Sequence, residues 1–128
     1  MSANLESATI SAVSVALDAA SMRHQALASN IANVSTPGYQ PLRVSFEEHL
    51  VAARASLRSG SLDSALLKVA APRLEREPVV AGETGAPAVG IDEQVAKVSE
   101  NAVHYQALLR ALNKQFGILA AAINDGKR

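Results

Sequence analysis

Cysteine is absent from the 128 residues, which removes disulfide frameworks, thiolate metal sites and cysteine nucleophiles together. Aromatics are scarce: Tyr39, Phe46, Tyr105 and Phe116 make up 3% of the chain, and Trp is missing. Sheet sandwiches and nucleic-acid stacking platforms lean on aromatic area, so here Ala, Leu and Val must do the packing, which suits closely spaced helices. Net charge is missing too. Twelve basic and twelve acidic residues cancel, and no overall field draws the chain onto nucleic acid or an anionic membrane. Long apolar runs are also lacking. The stretch Ser7 to Leu17 is interrupted by Ser11 and Ser14 and falls far short of the roughly 20 residues a bilayer requires. Met1 to Leu17 holds Glu6 and no Lys or Arg, so the positive start of a cleaved secretory signal is not there. A chain of this size is expected to form one domain with a modest core.

What is present is periodicity at both ends. Ile10, Val13, Leu17, Ala20, Leu27, Ile31 and Val34 step by threes and fours, with His24 filling one polar slot. The spacing predicts a helix from about residue 4 to residue 34, closed by Pro37-Gly38 at the centre of a type II turn. Ile91, Val95, Val98, Ala102, Tyr105, Leu109, Leu112, Phe116, Leu119 and Ile123 keep the same rhythm. At about 1.5 Å per residue this second helix is roughly 50 Å long, more than so small a domain can cover, so part of it is expected to meet a partner.

The middle of the chain is punctuated by Pro41, Gly60, Pro72, Pro78, Gly82, Gly85, Pro87 and Gly90, which excludes a long regular element there. Ser45 and Glu48 have the spacing of a capping box, followed by Phe46, Leu50, Ala53 and Leu57 on one face of a short helix. Leu66–Ala70 and Val79–Ala81 are the segments that fit short strands, held to an edge or loose hairpin by the neighbouring prolines. The fold expected is mainly α: two long terminal helices in an antiparallel coiled-coil-like pair, with a short helix and an irregular or β segment between them. Residues 1–40 and 91–128 form its discontinuous core, and 41–90 an insertion.

Catalytic chemistry finds no constellation. His24, His49 and His104 are isolated from one another and from clustered carboxylates, so no metal, cofactor or small-molecule substrate is expected. Asp92 and Glu93 suit the positive end of a helix dipole, and the run Glu75, Arg76, Glu77 reads as a solvated loop. The N-terminal helix is more telling. Between Met1 and Gln40 only Glu6, Asp18 and Arg23 carry charge, and its off-seam positions hold Ala8, Ala12, Ala16, Ala19, Ala26, Ala28 and Ala32. An exposed helix normally displays Lys and Glu. This one is expected to be surrounded by other helices in its working state.

Two stretches carry a family resemblance. Leu27-Ala28-Ser29-Asn30-Ile31-Ala32-Asn33, followed by Thr36-Pro37-Gly38-Tyr39, resembles the N-terminal motif of flagellar rod and hook proteins. Glu100-Asn101-Ala102, Tyr105-Gln106-Ala107-Leu108 and the Phe116–Ile123 tail resemble the C-terminal end of proximal-rod members of that family. The resemblance implies a non-enzymatic structural subunit of the basal-body rod, located in the periplasm, exported without a cleaved signal and polymerising through its terminal helices. The implied partners are other copies of the chain, other rod proteins and the inner-membrane ring or export-gate adaptor. The implied assembly residues are Leu27, Asn30, Ile31, Asn33, Pro37, Gly38 and Tyr39 at one end, and Tyr105, Leu109, Leu112, Phe116, Leu119 and Ile123 at the other. The competing reading is a soluble coiled-coil adaptor or flagellar export chaperone, which shares helices and heptads but calls for a more charged surface.

Overall fold

The computed structural model describes residues 2–48, 51, 71–78 and 89–126. Its elements in chain order are helix α1 (Ser2–Ala32), strand β1 (Leu42–Ser45), strand β2 (Arg73–Arg76) and helix α2 (Ile91–Asp125). The two long helices run antiparallel: Asn30 near the end of α1 bonds Gln94 near the start of α2, while Asn101 further along α2 reaches back to the carbonyl of Ala20. The mainly helical architecture expected from the terminal heptads is therefore the one observed.

Helix α1 ends where its sequence changes character. The Asn33 N–H donates to the Ser29 carbonyl at 3.1 Å and the Val34 N–H to that of Ile31 at 3.3 Å, so the last turn tightens before the chain leaves the axis. A turn follows in which the Tyr39 N–H donates to the Thr36 carbonyl at 3.1 Å, with Pro37 and Gly38 in the centre. Gly38 has φ = 72°, the left-handed value that the third position of a type II turn requires. At the start of α2, Asp92 and Glu93 occupy the first turn, where their charge opposes the dipole.

The strands pair antiparallel, from Leu42 opposite Arg76 to Ser45 opposite Arg73. The ribbon extends beyond them, because the Glu77 N–H donates to the Pro41 carbonyl at 2.8 Å and Gln40 Nε2 to the Glu77 carbonyl at 2.7 Å. The segments Leu66–Ala70 and Val79–Ala81 lie outside the described residues. The strand opposite β1 is Arg73–Arg76, which corrects the reading of Glu75 and Arg76 as solvated loop. Its Arg73, Leu74 and Arg76 are exposed, so β2 has no buried alternation to announce it.

The capping box is corrected as well. Ser45 is a strand residue whose hydroxyl donates to Glu75 Oε1 at 2.8 Å, and Glu48 pairs with Arg43 at 3.2 Å rather than turning back on Ser45. Glu47, Glu48 and Val51 are helical. Leu50, Ala53 and Leu57 fall outside the described residues.

The buried apolar cluster sits between α1 and the hairpin, and Ala20 and Leu27 extend the buried surface toward α2. Phe46 and Val44 pack on Ala19 and Ala26, ringed by Val15, Ala16, Met22 and Leu42. Alanines on this face of α1 let the ribbon approach closely, which explains part of the uncharged composition: Ala16, Ala19 and Ala26 are covered, whereas Ala12, Ala28 and Ala32 remain exposed.

The helix pair also departs from the predicted seams. Helix α2 buries Gln94 and Asn101, and half-buries Lys97, Val98, Leu108, Leu112, Gln115 and Leu119. The apolar series predicted for it shares only Val98, Leu112 and Leu119 with that face. At about 100° per residue, the series is turned by roughly 60° around the helix axis from the surface that meets α1. Ile91, Val95, Tyr105, Leu109, Phe116 and Ile123 are consequently 39–55% exposed. The physical reason is the pair of amides: Gln94 and Asn101 find their partners on α1 only if α2 is rotated this way, and an unpaired buried amide costs more than a half-exposed Leu.

Candidate assembly site

The N-terminal motif folds into one hydrogen-bond network around Asn30, which is 2% exposed. Asn30 Nδ2 donates to the Leu42 carbonyl at 2.9 Å and to Gln94 Oε1 at 3.1 Å, and its Oδ1 accepts from the Leu42 N–H at 2.8 Å and the Tyr39 hydroxyl at 3.0 Å. An asparagine amide has two donors and room for two acceptors' worth of bonds on oxygen, and here all four are used. Because the Tyr39 proton goes to Asn30, the 3.1 Å contact between Ser29 Oγ and the Tyr39 hydroxyl runs with Ser29 as donor. Ser29, Asn30 and Tyr39 thus tie the end of α1, the type II turn, β1 and α2 into a single knot.

Asn33 acts differently. Its Nδ2 donates to the Ser29 carbonyl at 2.8 Å and its Oδ1 accepts from the Thr36 hydroxyl at 3.3 Å, closing the helix end against the turn. Leu27 is buried, Ile31 is half-buried, and Pro37 and Gly38 stand exposed on the turn. At this end the motif residues are brought together. On α2, Tyr105, Leu109, Phe116 and Ile123 form an exposed stripe with Leu112 and Leu119 at its inner edge.

Two residues of this arrangement were not singled out as contact residues from the sequence: Gln94 and Asn101, seven apart, both buried in the helix pair. The available signal was a polar residue repeating at i, i+7 beside the apolar series, a pattern that also fits a solvated face. Asn101 Nδ2 donates to the Ala20 carbonyl at 2.9 Å, while its Oδ1 is buried without a partner.

Charges rim the assembly. Arg23 of α1 pairs with Glu47 beyond β1, and Arg43 bridges Glu48 and Glu75 across the hairpin. On α2 Glu93 and Lys97 pair at 2.6 Å; the hydrogen bond from Lys97, reinforced by its charge, holds the Glu93 carboxyl below its ordinary range. Among the described residues no cluster of His, Asp or Glu is arranged to hold a metal ion, and no helix is long and apolar enough to cross a membrane. A groove of about 310 Å³ opens between the helices at Ala20, His24, Asn101, Ala102 and Tyr105. Ser21 and Gln106 complete its lining.

Comparison with known proteins agrees with that geometry. Residues 11–40, which include the Asn30 knot and the turn, match the family model described as flagella basal body rod protein. The chain is similar to the flagellar basal body rod protein FlgB of Bacillus subtilis (strain 168), with 27% identity over 128 residues that cover 97% of this chain and 99% of the relative. The local match falls on the knot and the global one runs through both helices, so at both scales the chain is similar to flagellar basal body rod proteins.

Proposed function

We propose that this rod subunit polymerises through its two terminal helices in the proximal part of the rod, with residues 41–90 as an insertion carried on that core. The observation that supports this reading is the exposed apolar series on α2, Val95, Tyr105, Leu109, Phe116 and Ile123, in a protein whose full-length relative is a rod protein. A monomer in water gains nothing from such a stripe, whereas a polymer covers it. The knot around Asn30 holds the helices in one register, so that each copy presents the same surface. In this proposal the chain works in the periplasm, reaches it without a cleaved signal, and contacts other rod proteins and the inner-membrane ring or export-gate adaptor.

Deleting the gene and probing purified basal bodies from the parent strain tests the assignment. Non-motile cells lacking rods, with the chain present in parental basal bodies, are expected. Normal rods in the deletion strain would overturn the reading and favour a helical adaptor or export chaperone instead.

A further inference from the structure

A larger cleft, of about 470 Å³, opens where α1, the hairpin and α2 meet, within the roughly 300–1,000 Å³ common for ligand sites. Leu27, Leu42 and Val44 give it an apolar wall. Among the described residues two buried side-chain atoms have no hydrogen-bond partner, Asn101 Oδ1 and Arg43 Nε, and both belong to residues that line this cleft. One is an acceptor in want of a donor, the other a donor in want of an acceptor. Asn101 is only 5% exposed, so its unmet acceptor costs more than one left in open water. The charges of the cleft are unbalanced as well. Its Arg and Lys side chains are already engaged: Arg23 with Glu47, Arg43 with Glu48 and Glu75, and Lys97 with Glu93. Glu77 and Glu100 also line it, and neither carboxylate has a partner among the described residues.

We infer that this cleft is the docking site for a short peptide segment of a partner protein that presents an arginine to Glu77, Glu100 and Asn101. The chemistry of the walls selects this occupant. A bare metal cation would leave the apolar wall and Arg43 Nε unused, and an acidic segment would face two carboxylates. An arginine on a main chain answers every unmet group. Its aliphatic stem covers Leu27, Leu42 and Val44, its guanidinium donates to Glu77, Glu100 and Asn101 Oδ1, and a carbonyl of its own backbone accepts from Arg43 Nε. Arginine suits the site better than lysine, because its planar fork of N–H groups serves several acceptors at once. The walls are also held in place beforehand: Asn30 lines the cleft and ties Leu42 of β1 to Gln94 of α2, so little ordering is left for the moment of binding. The site is formed within one folded chain and does not depend on how copies polymerise.

Calorimetric titration of the purified full-length chain with the end-blocked tripeptide Gly-Arg-Gly, at low salt, tests the inference. Saturable binding is expected, weakened by about tenfold or more when citrulline replaces the arginine, keeping its shape without its charge. The Glu77→Gln/Glu100→Gln chain, with an unchanged circular dichroism spectrum, is expected to lose about tenfold or more in affinity for the arginine peptide, whereas Asp92→Asn, outside the cleft, binds it as the parent does. The two single variants replace the double one if it does not fold. Absence of saturable binding at millimolar peptide, equal binding of the citrulline peptide, or unchanged affinity in the glutamate variants overturns the inference. Self-association of the chain that the same variants abolish assigns the cleft to a second copy and overturns it too. None of these outcomes touches the rod assignment, which the basal-body experiment decides.

Discussion

The two ends of this molecule solve opposite problems. Where the chain turns back, around Asn30, buried polar groups are matched within the chain and the motif is spent on holding α1, the turn, β1 and α2 together. Along the rest of α2, large apolar side chains remain half in water and the buried Asn101 carbonyl oxygen lacks a donor. One end is finished as a monomer and the other is not. The contrast separates two roles: the motif fixes how the helices, turn and β1 are held, and a less distinctive apolar surface is left open to solvent.

Substitutions can break this contrast or sharpen it. Phe46→Ala removes the largest side chain of the α1–hairpin core and is expected to cost about 3–4 kcal/mol in urea unfolding followed by circular dichroism. Asn30→Ala strands the Leu42 N–H and carbonyl and the Gln94 amide; a loss of about 2–3 kcal/mol is expected in the same measurement, and a stability within about 0.5 kcal/mol of the parent would show that the knot contributes nothing. Gly38→Ala forces a side chain to φ = 72°, for about 1–2 kcal/mol. Leu109→Ala should change monomer stability by less than about 1 kcal/mol, since Leu109 is 40% exposed, yet reduce the chain recovered in basal bodies. A monomer loss of several kcal/mol would mean that the stripe is buried within the chain. The rotation of α2, which leaves Leu109 half in water, is what keeps the expected effect small.

The smallest effect concerns Glu93. Its carboxyl is held below the ordinary value by Lys97, so the pair favours the folded form above the unfolded-state carboxylate range, and that contribution disappears as pH falls through the folded-state value. Because the site is open to solvent, Glu93→Gln should leave unfolding at neutral pH nearly unchanged and flatten a slight acid-side slope at low salt. A steep slope retained in the variant would assign the pH dependence to other carboxyls.

The terminal helices were legible because they are long and periodic, and their limits are written in the chain: Pro37-Gly38 after one, Gly90 before the other. The type II turn was legible for the same local reason, as only a glycine fits its third position without strain. The hairpin was not. Arg73–Arg76 has no alternation of buried and exposed residues, and it becomes a strand by pairing with Leu42–Ser45, more than 25 positions away. Ser45 illustrates the cost of a local signature: its spacing to Glu48 fits a cap, but Glu75 from the distant strand supplies the better partner.

Sequence by itself determined that the protein is helical at both ends and that it carries more apolar helix surface than it can cover, because both follow from local periodicity and residue type. Only the tertiary structure decided which face of α2 meets α1 and which stays open. That choice follows the bonds from Asn30 to Gln94 and from Asn101 to the Ala20 carbonyl across the helix pair, and the i, i+7 spacing of Gln94 and Asn101 does not by itself distinguish such partners from a solvated face.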